Sequence, residues 1–171
     1  MKNVLYTIGH STRSSKEFLT LLHAHGIRQV IDIRTIPRSR HNPQFNKEKI
    51  SIFLRRHGIN YSHEKHLGGL RHAKKDSPNT GWKNRSFRGF ADYMLTEEFE
   101  LGLKRLMRKA KKKPTVIMCA EAVPWRCHRS LVADALIKRK WRVFHIQSRK
   151  TAKKHKLTPF LRIRSGKFIY R

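Results

Sequence analysis

Acidic residues are scarce in this chain. Asp and Glu number 11 in 171 residues against 40 Lys and Arg, a formal net charge of +29, and the isoelectric point lies near 11.3. With so few carboxylates, the Asp-Asp-Glu grouping of a two-metal nuclease is not evident. Cysteine is almost as sparse. Two residues cannot staple a disulfide scaffold, and their number suits a cytoplasmic protein. Long apolar runs are missing too. The longest, Val116 to Ala120, falls far short of the roughly 18 residues a membrane helix needs. Lys2 is followed only by Val4, Leu5 and Tyr6, too little for a signal-peptide core. No internal repeat or second domain is visible, so residues 1–171 read as one domain. Its 38% hydrophobic residues suffice for a core because they fall in periodic blocks.

The charge asks for a partner. A surplus of 29 positive charges strains a compact fold by self-repulsion, and a polyanion relieves it. Nucleic acid, DNA or RNA, is the leading expectation; an acidic partner or a membrane surface comes behind it, and a merely basic surface is the plain alternative. No membrane is assigned as a partner. Between Lys104 and Lys113 the basic residues, including Lys109, Lys111, Lys112 and Lys113, interleave with Leu103, Leu106 and Met107. That is an amphipathic helix with a solvated basic face. Residues 149–171 hold no acid and carry Lys153 and Lys154 among nine basic residues. They read as a basic C-terminal segment, an extended arm unless something orders it.

Strand and helix signals alternate. Strands are expected at Leu5–Ile8, Val30–Ile33, Ile59–Ser62, Thr115–Met118, Trp141–Ile146 and Lys167–Tyr170. Helices are expected after Ser14, around Ile50–Leu54, from Phe90, from Thr96 to Lys113 and over Cys127–Arg139. The order predicts an α/β fold, a single three-layer domain with a mainly parallel sheet and helices on both faces. Gly68 to Arg88 reads as a long exposed loop, mobile or ordered by ligand. Its Trp82, Phe87, Arg85 and Arg88 could stack bases.

Polar residues gather where the expected strands end. Gly9, His10 and Ser11 follow the first; Asp32 and Arg34 end the second; Gly68 and Gly69 follow the third; Cys119 and Glu121 follow the fourth; His145 lies in the fifth. In a parallel sheet, ligands bind beyond the carboxyl ends of the strands. The densest cluster runs from Cys119 through Glu121, Arg126, Cys127, His128 and Arg129. A helix begins there, with free N–H groups and a partial positive charge that bind anions and lower the pKa of a thiol. Cys119 is the candidate nucleophile, with His10, Glu121 or His128 as base. The plainer reading makes Cys119 a small buried hydrophobe. A thiol–disulfide pair with Cys127 needs the loop to fold back. A zinc site from Cys119, Cys127, His128 and His10 has no familiar spacing, so no metal is assigned and the cofactor stays open. The segment is similar in outline to the phosphate loop of cysteine phosphatases, but six residues separate Cys119 from Arg126, one more than that family has.

Asp32 and Arg34 alternate with Ile31 and Ile33, so their side chains share one face. They form either a buried ion pair or an oriented guanidinium for an anion. Arg38, Ser39 and Arg40 add a basic loop beside them. Gly68 and Gly69 permit a backbone to approach a ligand closely.

Taken together, Thr7-Ile8-Gly9-His10-Ser11, Asp32-Ile33-Arg34 with Pro37 and Ser39, Leu67-Gly68-Gly69, Phe90 with Tyr93-Met94, Cys119-Ala120-Glu121 with Cys127-His128-Arg129, His145-Ile146 and Leu157-Thr158-Pro159 resemble the family catalogued as domain of unknown function 488. The resemblance spans almost the whole chain. It implies an α/β fold and a single site holding Gly9, His10, Ser11, Asp32, Arg34, Ser39, Gly68, Gly69, Cys119, Glu121, Cys127, His128 and Arg129. It supplies no reaction. Three functions remain open: a nucleic-acid-binding protein whose pocket takes a nucleotide, base or phosphorylated group; a cysteine-dependent enzyme acting on a small molecule; and a non-catalytic module that binds a modified base or nucleotide.

Overall fold

A computed structural model describes residues 3–171. Its first half alternates β1 (Val4–Gly9), α1 (Ser15–Ala24), β2 (Gln29–Asp32), α2 (Lys47–Arg56) and β3 (Asn60–His63). Two consecutive helices follow, α3 (Arg85–Tyr93) and α4 (Glu97–Ala110), then β4 (Thr115–Cys119), α5 (Arg129–Lys138) and β5 (Arg142–Ile146). The chain ends in three short strands, β6 (Ala152–Lys154), β7 (Leu161–Arg164) and β8 (Lys167–Tyr170). Six strands form one mixed sheet in the order β3-β2-β4-β1-β5-β6. The first five are parallel and β6 runs antiparallel to β5, while β7 and β8 make a separate hairpin. Among the described residues the fold is therefore α/β, with five α-helices and a mainly parallel sheet. No helix is long and apolar enough to cross a membrane among the described residues.

Local chemistry sets the element ends. Ser14 and Glu17 close a reciprocal capping box on α1: the Ser14 hydroxyl accepts from the Glu17 N–H at 3.1 Å and the Glu17 carboxylate accepts from the Ser14 N–H at 3.4 Å. α4 places Glu97, Glu98 and Glu100 in its first turn and Arg108 and Lys109 in its last, matching the helix dipole. Its Phe99, Leu103 and Leu106 are buried while the basic face stays in water.

Side-chain alternation along the strands divides the core. Ile8, Val30, Val116 and Met118 cluster with Phe18 and Leu22 of α1 and Ile50 and Leu54 of α2. Leu5, Ile31, Ile117 and Val143 cluster with Phe90 of α3, Leu103 and Leu106 of α4 and Leu131 of α5. Chain direction explains the division. β1→β2 and β2→β3 step one way across the sheet, and β3→β4 and β4→β5 step back, so right-handed crossovers carry their helices to different clusters. β4 lies between β2 and β1. Its outgoing chain diverges from that of both neighbours, and crevices open at such switch points.

Two expectations are corrected. The segment 68–88 is not a free loop. Asn84 caps α3 by accepting from the Ser86 and Phe87 N–H groups, so the helix begins at Arg85. Buried Asp92 then accepts from the Lys74 N–H, the Ser77 hydroxyl and the Asn79 amide at 2.5–2.9 Å. Nor is 149–171 an extended arm. β6 extends the sheet, and Tyr170, fully buried, donates its hydroxyl to Asp134 of α5 at 2.9 Å. α4 also stops three residues before the expected Lys113.

Candidate functional site

Cys119 ends β4 in register with Gly9 of β1. The chain leaving β4 passes so close to β1 that a Cβ on Gly9 would lie 1.8 Å from the Glu121 carbonyl oxygen; this glycine is a steric requirement. Beyond it the His10 N–H donates to Cys119 O at 2.9 Å and the Ser11 N–H to Ala120 O at 3.0 Å. Ser11 takes a left-handed backbone, φ 51°. After Glu121 the chain turns through Pro124–Arg126 and enters α5, which brings Cys127 and Arg129 back beneath Cys119.

Arg129 organises the site. It is 1% exposed. One guanidinium nitrogen donates to Cys119 Sγ at 2.7 Å and to the Glu121 carbonyl; the other terminal nitrogen donates to Ala122 O at 2.9 Å, and Nε to Thr7 Oγ1 at 3.2 Å. No carboxylate pairs with it among the described residues. A buried cation without a counter-ion is costly, so a thiolate at Cys119 is its natural complement. Burial alone pushes the Cys119 thiol up. The hydrogen bond from Cys127 and the Arg129 charge outweigh that and bring it down to about 7. The Cys127 Sγ lies 2.8 Å from Cys119 Sγ. Burial, and then its ionising neighbour, hold Cys127 well above the ordinary thiol range, so it is the donor of the pair. Both cysteines are free.

Behind Arg129 a buried chain of hydrogen bonds extends to the C-terminal segment. Thr7 Oγ1 lies 2.5 Å from His145 Nδ1, His145 Nε2 lies 2.8 Å from His155 Nδ1, and His155 Nε2 lies 2.8 Å from Asp134. With a neutral His155 donating to the Asp134 carboxylate, the donors run one way: Arg129 to Thr7, Thr7 to His145, His145 to His155, His155 to Asp134. Burial holds His145 neutral, with a pKa lowered to about 3. The sequence reading missed Thr7, Asp134 and His155. A signal was present for Asp134, a lone acid amid Leu131, Val132, Ala133, Ala135 and Leu136.

His128 donates Nε2–H to Ile33 O at 3.0 Å and turns Nδ1 toward Cys127 Sγ at 3.5 Å. Burial lowers its pKa to about 4, so it stays neutral. His10 sits elsewhere. Its ring stacks on Phe45 at 4.3 Å, Nδ1 donates to Ser11 O at 2.8 Å, and Nε2 faces Arg34 at 3.4 Å. Burial lowers its pKa to about 4 as well. Its ring braces Arg34 and makes no hydrogen bond to the Cys119 sulfur, so the expectation of His10 as base is corrected. Arg34 forks onto Asp32, with Nε at 3.0 Å and Nη2 at 2.7 Å, and also reaches Phe45 O at 2.7 Å. Tyr61 donates to the same carboxylate at 2.5 Å, and burial beside that carboxylate raises the phenol well above its ordinary range. The shared face of Asp32 and Arg34 thus holds a buried ion pair.

A cavity of about 310 Å³ opens over the two sulfurs. Arg34, Gly69, Cys119, Glu121, Arg126, Cys127 and His128 line it, joined by Arg38. Glu121 is exposed there, its carboxylate accepting from the Val123 N–H at 3.2 Å. Gly9, His10, Ser11, Asp32, Gly68 and Arg129 stand behind the wall. The paired glycines serve the protein's own packing: a Cβ on Gly68 would lie 2.3 Å from Thr35 Oγ1, and one on Gly69 2.6 Å from His128 Nδ1. Ser39 stands apart, its hydroxyl accepting from the Asn42 N–H at 3.0 Å.

The remaining basic residues do not converge on this cavity. Lys109 donates to Ser62 Oγ. Lys111, Lys112 and Lys113 precede β4, at the opposite end of the sheet, beside Asn3 and Trp141. Lys153 and Lys154 line a separate cavity with Trp125 and Phe160, and Arg40 is exposed on its loop. Among the described residues, no group of three or more His, Cys, Asp or Glu is placed to hold a metal ion; the His10 ring is committed to Arg34.

Residues 14–136 match the model of the family described as "Domain of unknown function DUF488", and the chain belongs to that family. The matched stretch holds Asp32, Arg34, Cys119, Cys127 and Arg129. No curated protein matches the chain, and no solved structure does.

Proposed function

We propose that this protein is a cysteine-dependent enzyme acting on a small anionic molecule, with Cys119 as its nucleophile. One observation carries the reading: a buried guanidinium with no carboxylate partner donates to the Cys119 sulfur at 2.7 Å. Such a pair keeps a large fraction of the thiol ionised near neutral pH. The cavity above it supplies a place for the electrophile, and Arg38 and Arg126 on its rim are exposed. They favour an anion, such as a phosphorylated group, a nucleotide or a small carboxylate.

The test compares two alkylating reagents of similar size, anionic iodoacetate and neutral iodoacetamide, by intact-protein mass and peptide mapping. Cys119 should be modified faster than a free cysteine peptide, and its preference for iodoacetate over iodoacetamide should exceed the peptide's. Substituting Arg38 and Arg126 by Ala should remove that preference. A pH midpoint of alkylation no lower than the peptide's would overturn the proposal.

Nucleic-acid binding is a second reading, favoured by the +29 charge. The cavity shared by Trp125, Phe160, Lys153 and Lys154 supports it, since aromatic and basic side chains together suit a single strand. In this reading the polymer lies on a surface distinct from the thiol cavity. A cytoplasmic location fits both.

A further inference from the structure

We propose that Cys127 is the resolving thiol of a two-electron dithiol–disulfide cycle, in which Cys119 first attacks a small hydroperoxide. The inference rests on the nucleophilic reading of Cys119, gives that sulfur a neutral oxidant as a second substrate class, and names the second reacting group. Its ground is geometric. The two sulfurs lie 2.8 Å apart and line the same cavity. Any group added to Cys119 therefore has a thiol as its nearest nucleophile. An acyl or phosphoryl adduct would need water there instead. His128 Nδ1 lies 3.5 Å from Cys127 Sγ, an acceptor for that thiol when Nε2 carries the proton donated to Ile33. The second thiol is thus held in place beside the first, and burial keeps it protonated. Access argues for a small oxidant. Cys119 is 2% exposed, and a hydroperoxide delivers a single oxygen atom.

The chemistry balances in two steps. The Cys119 thiolate attacks the distal oxygen of ROOH; the O–O bond breaks, Cys119 becomes a sulfenic acid, and RO⁻ leaves and takes a proton from water. Cys127 then attacks the sulfenic sulfur as its proton passes to the departing oxygen. The S–S bond forms, the S–O bond breaks, and the hydroxyl leaves with the Cys127 proton as water. The hydroperoxide is reduced and the dithiol oxidised. A low-molecular-weight thiol restores the pair by exchange, being oxidised to its own disulfide.

The disulfide also removes the thiolate that complements Arg129. The oxidised protein should therefore melt at a lower temperature than the reduced one, against the usual stabilising effect of a cross-link.

The experiment treats the reduced full chain with one equivalent of hydrogen peroxide and counts thiols by mass. The wild type should lose both thiols, with Cys119 and Cys127 joined in a non-reducing digest. Cys127→Ser should lose one thiol and yield a dimedone adduct on Cys119, and circular dichroism checks that this variant is folded. Cys119 oxidised to sulfinic acid while Cys127 stays a thiol in the wild type would overturn the inference. So would peroxide inertness alongside rapid alkylation of Cys119 by iodoacetamide, which leaves the nucleophile reading standing. Inertness to both reagents would remove both. A rise in melting temperature on oxidation would refute the role given to the thiolate beside Arg129.

Discussion

Replacing Arg129 should move the ionisation of Cys119 by a measurable amount. The thiol falls from its ordinary value near 9 to about 7, a differential stabilisation of the thiolate by roughly 2.7 kcal/mol. Near pH 7 about half the Cys119 population is then ionised, against about one in a hundred for an unperturbed thiol of pKa near 9, a ~50-fold difference. A less basic thiolate is also less nucleophilic, and a Brønsted coefficient of about 0.4–0.5 over two units takes back roughly eightfold. The net advantage is about sixfold toward a small aromatic disulfide reagent. Arg129→Met removes the charge and one hydrogen bond but leaves the burial, which acts in the opposite direction. The pH midpoint of the reaction should rise from about 7 to above 9. Arg129→Lys keeps the charge without the fork and should fall between them. The midpoint is the quantity to read, since slow access to a buried sulfur scales every rate alike without moving it. Loss of the bonds to Glu121 O and Ala122 O will lower stability, so each variant is assayed below its own melting temperature. A wild-type midpoint in the ordinary thiol range, or one unmoved in Arg129→Met, would refute the reasoning.

Acid should unfold the protein through its buried histidines. His10 and His128 titrate at about 4 and His145 at about 3 when folded, against 6.5 when free. Lowered folded values mean that the unfolded chain binds more protons. Stability is full above about pH 6.5 and falls as pH drops toward 4, by roughly 2 kcal/mol per histidine at pH 4.5; a denaturation midpoint unchanged between pH 7 and 4.5 would contradict this. Gly9→Ala should cost about 3 kcal/mol or more, because its Cβ meets backbone that cannot yield; urea unfolding measures it, and a cost under about 1 kcal/mol would show that the β1–β4 junction yields. If the charge serves nucleic acid, binding of labelled DNA and RNA should weaken steeply with salt. Lys153→Gln with Lys154→Gln should then flatten the log–log slope by roughly 1.5, whereas an unchanged slope would place the polymer elsewhere.

The chain's own pattern encodes the alternation of elements, because a period near two along a strand and near 3.6 along a helix is a local property. It located the strand ends, the Ser14 capping box, the amphipathic α4 and the importance of the segment from Cys119 to Arg129. It also paired Asp32 with Arg34, since two residues along an extended chain must share a face. What these residues touch depends on long-range packing. Gly68 and Gly69 are adjacent to Thr35 and His128 only because β3 and β4 lie on either side of β2. His10 looked like a base, and packing turned it onto Phe45 and Arg34. The link from Arg129 through Thr7, His145 and His155 to Asp134 joins residues up to 138 positions apart, and no local pattern encodes such contacts. The folding-back of residues 149–171 is of the same kind: Phe160, Leu161, Phe168 and Tyr170 pack on the core between the segment's basic residues, and the Tyr170 hydroxyl, with His155 and Thr158, meets the buried carboxylate of Asp134.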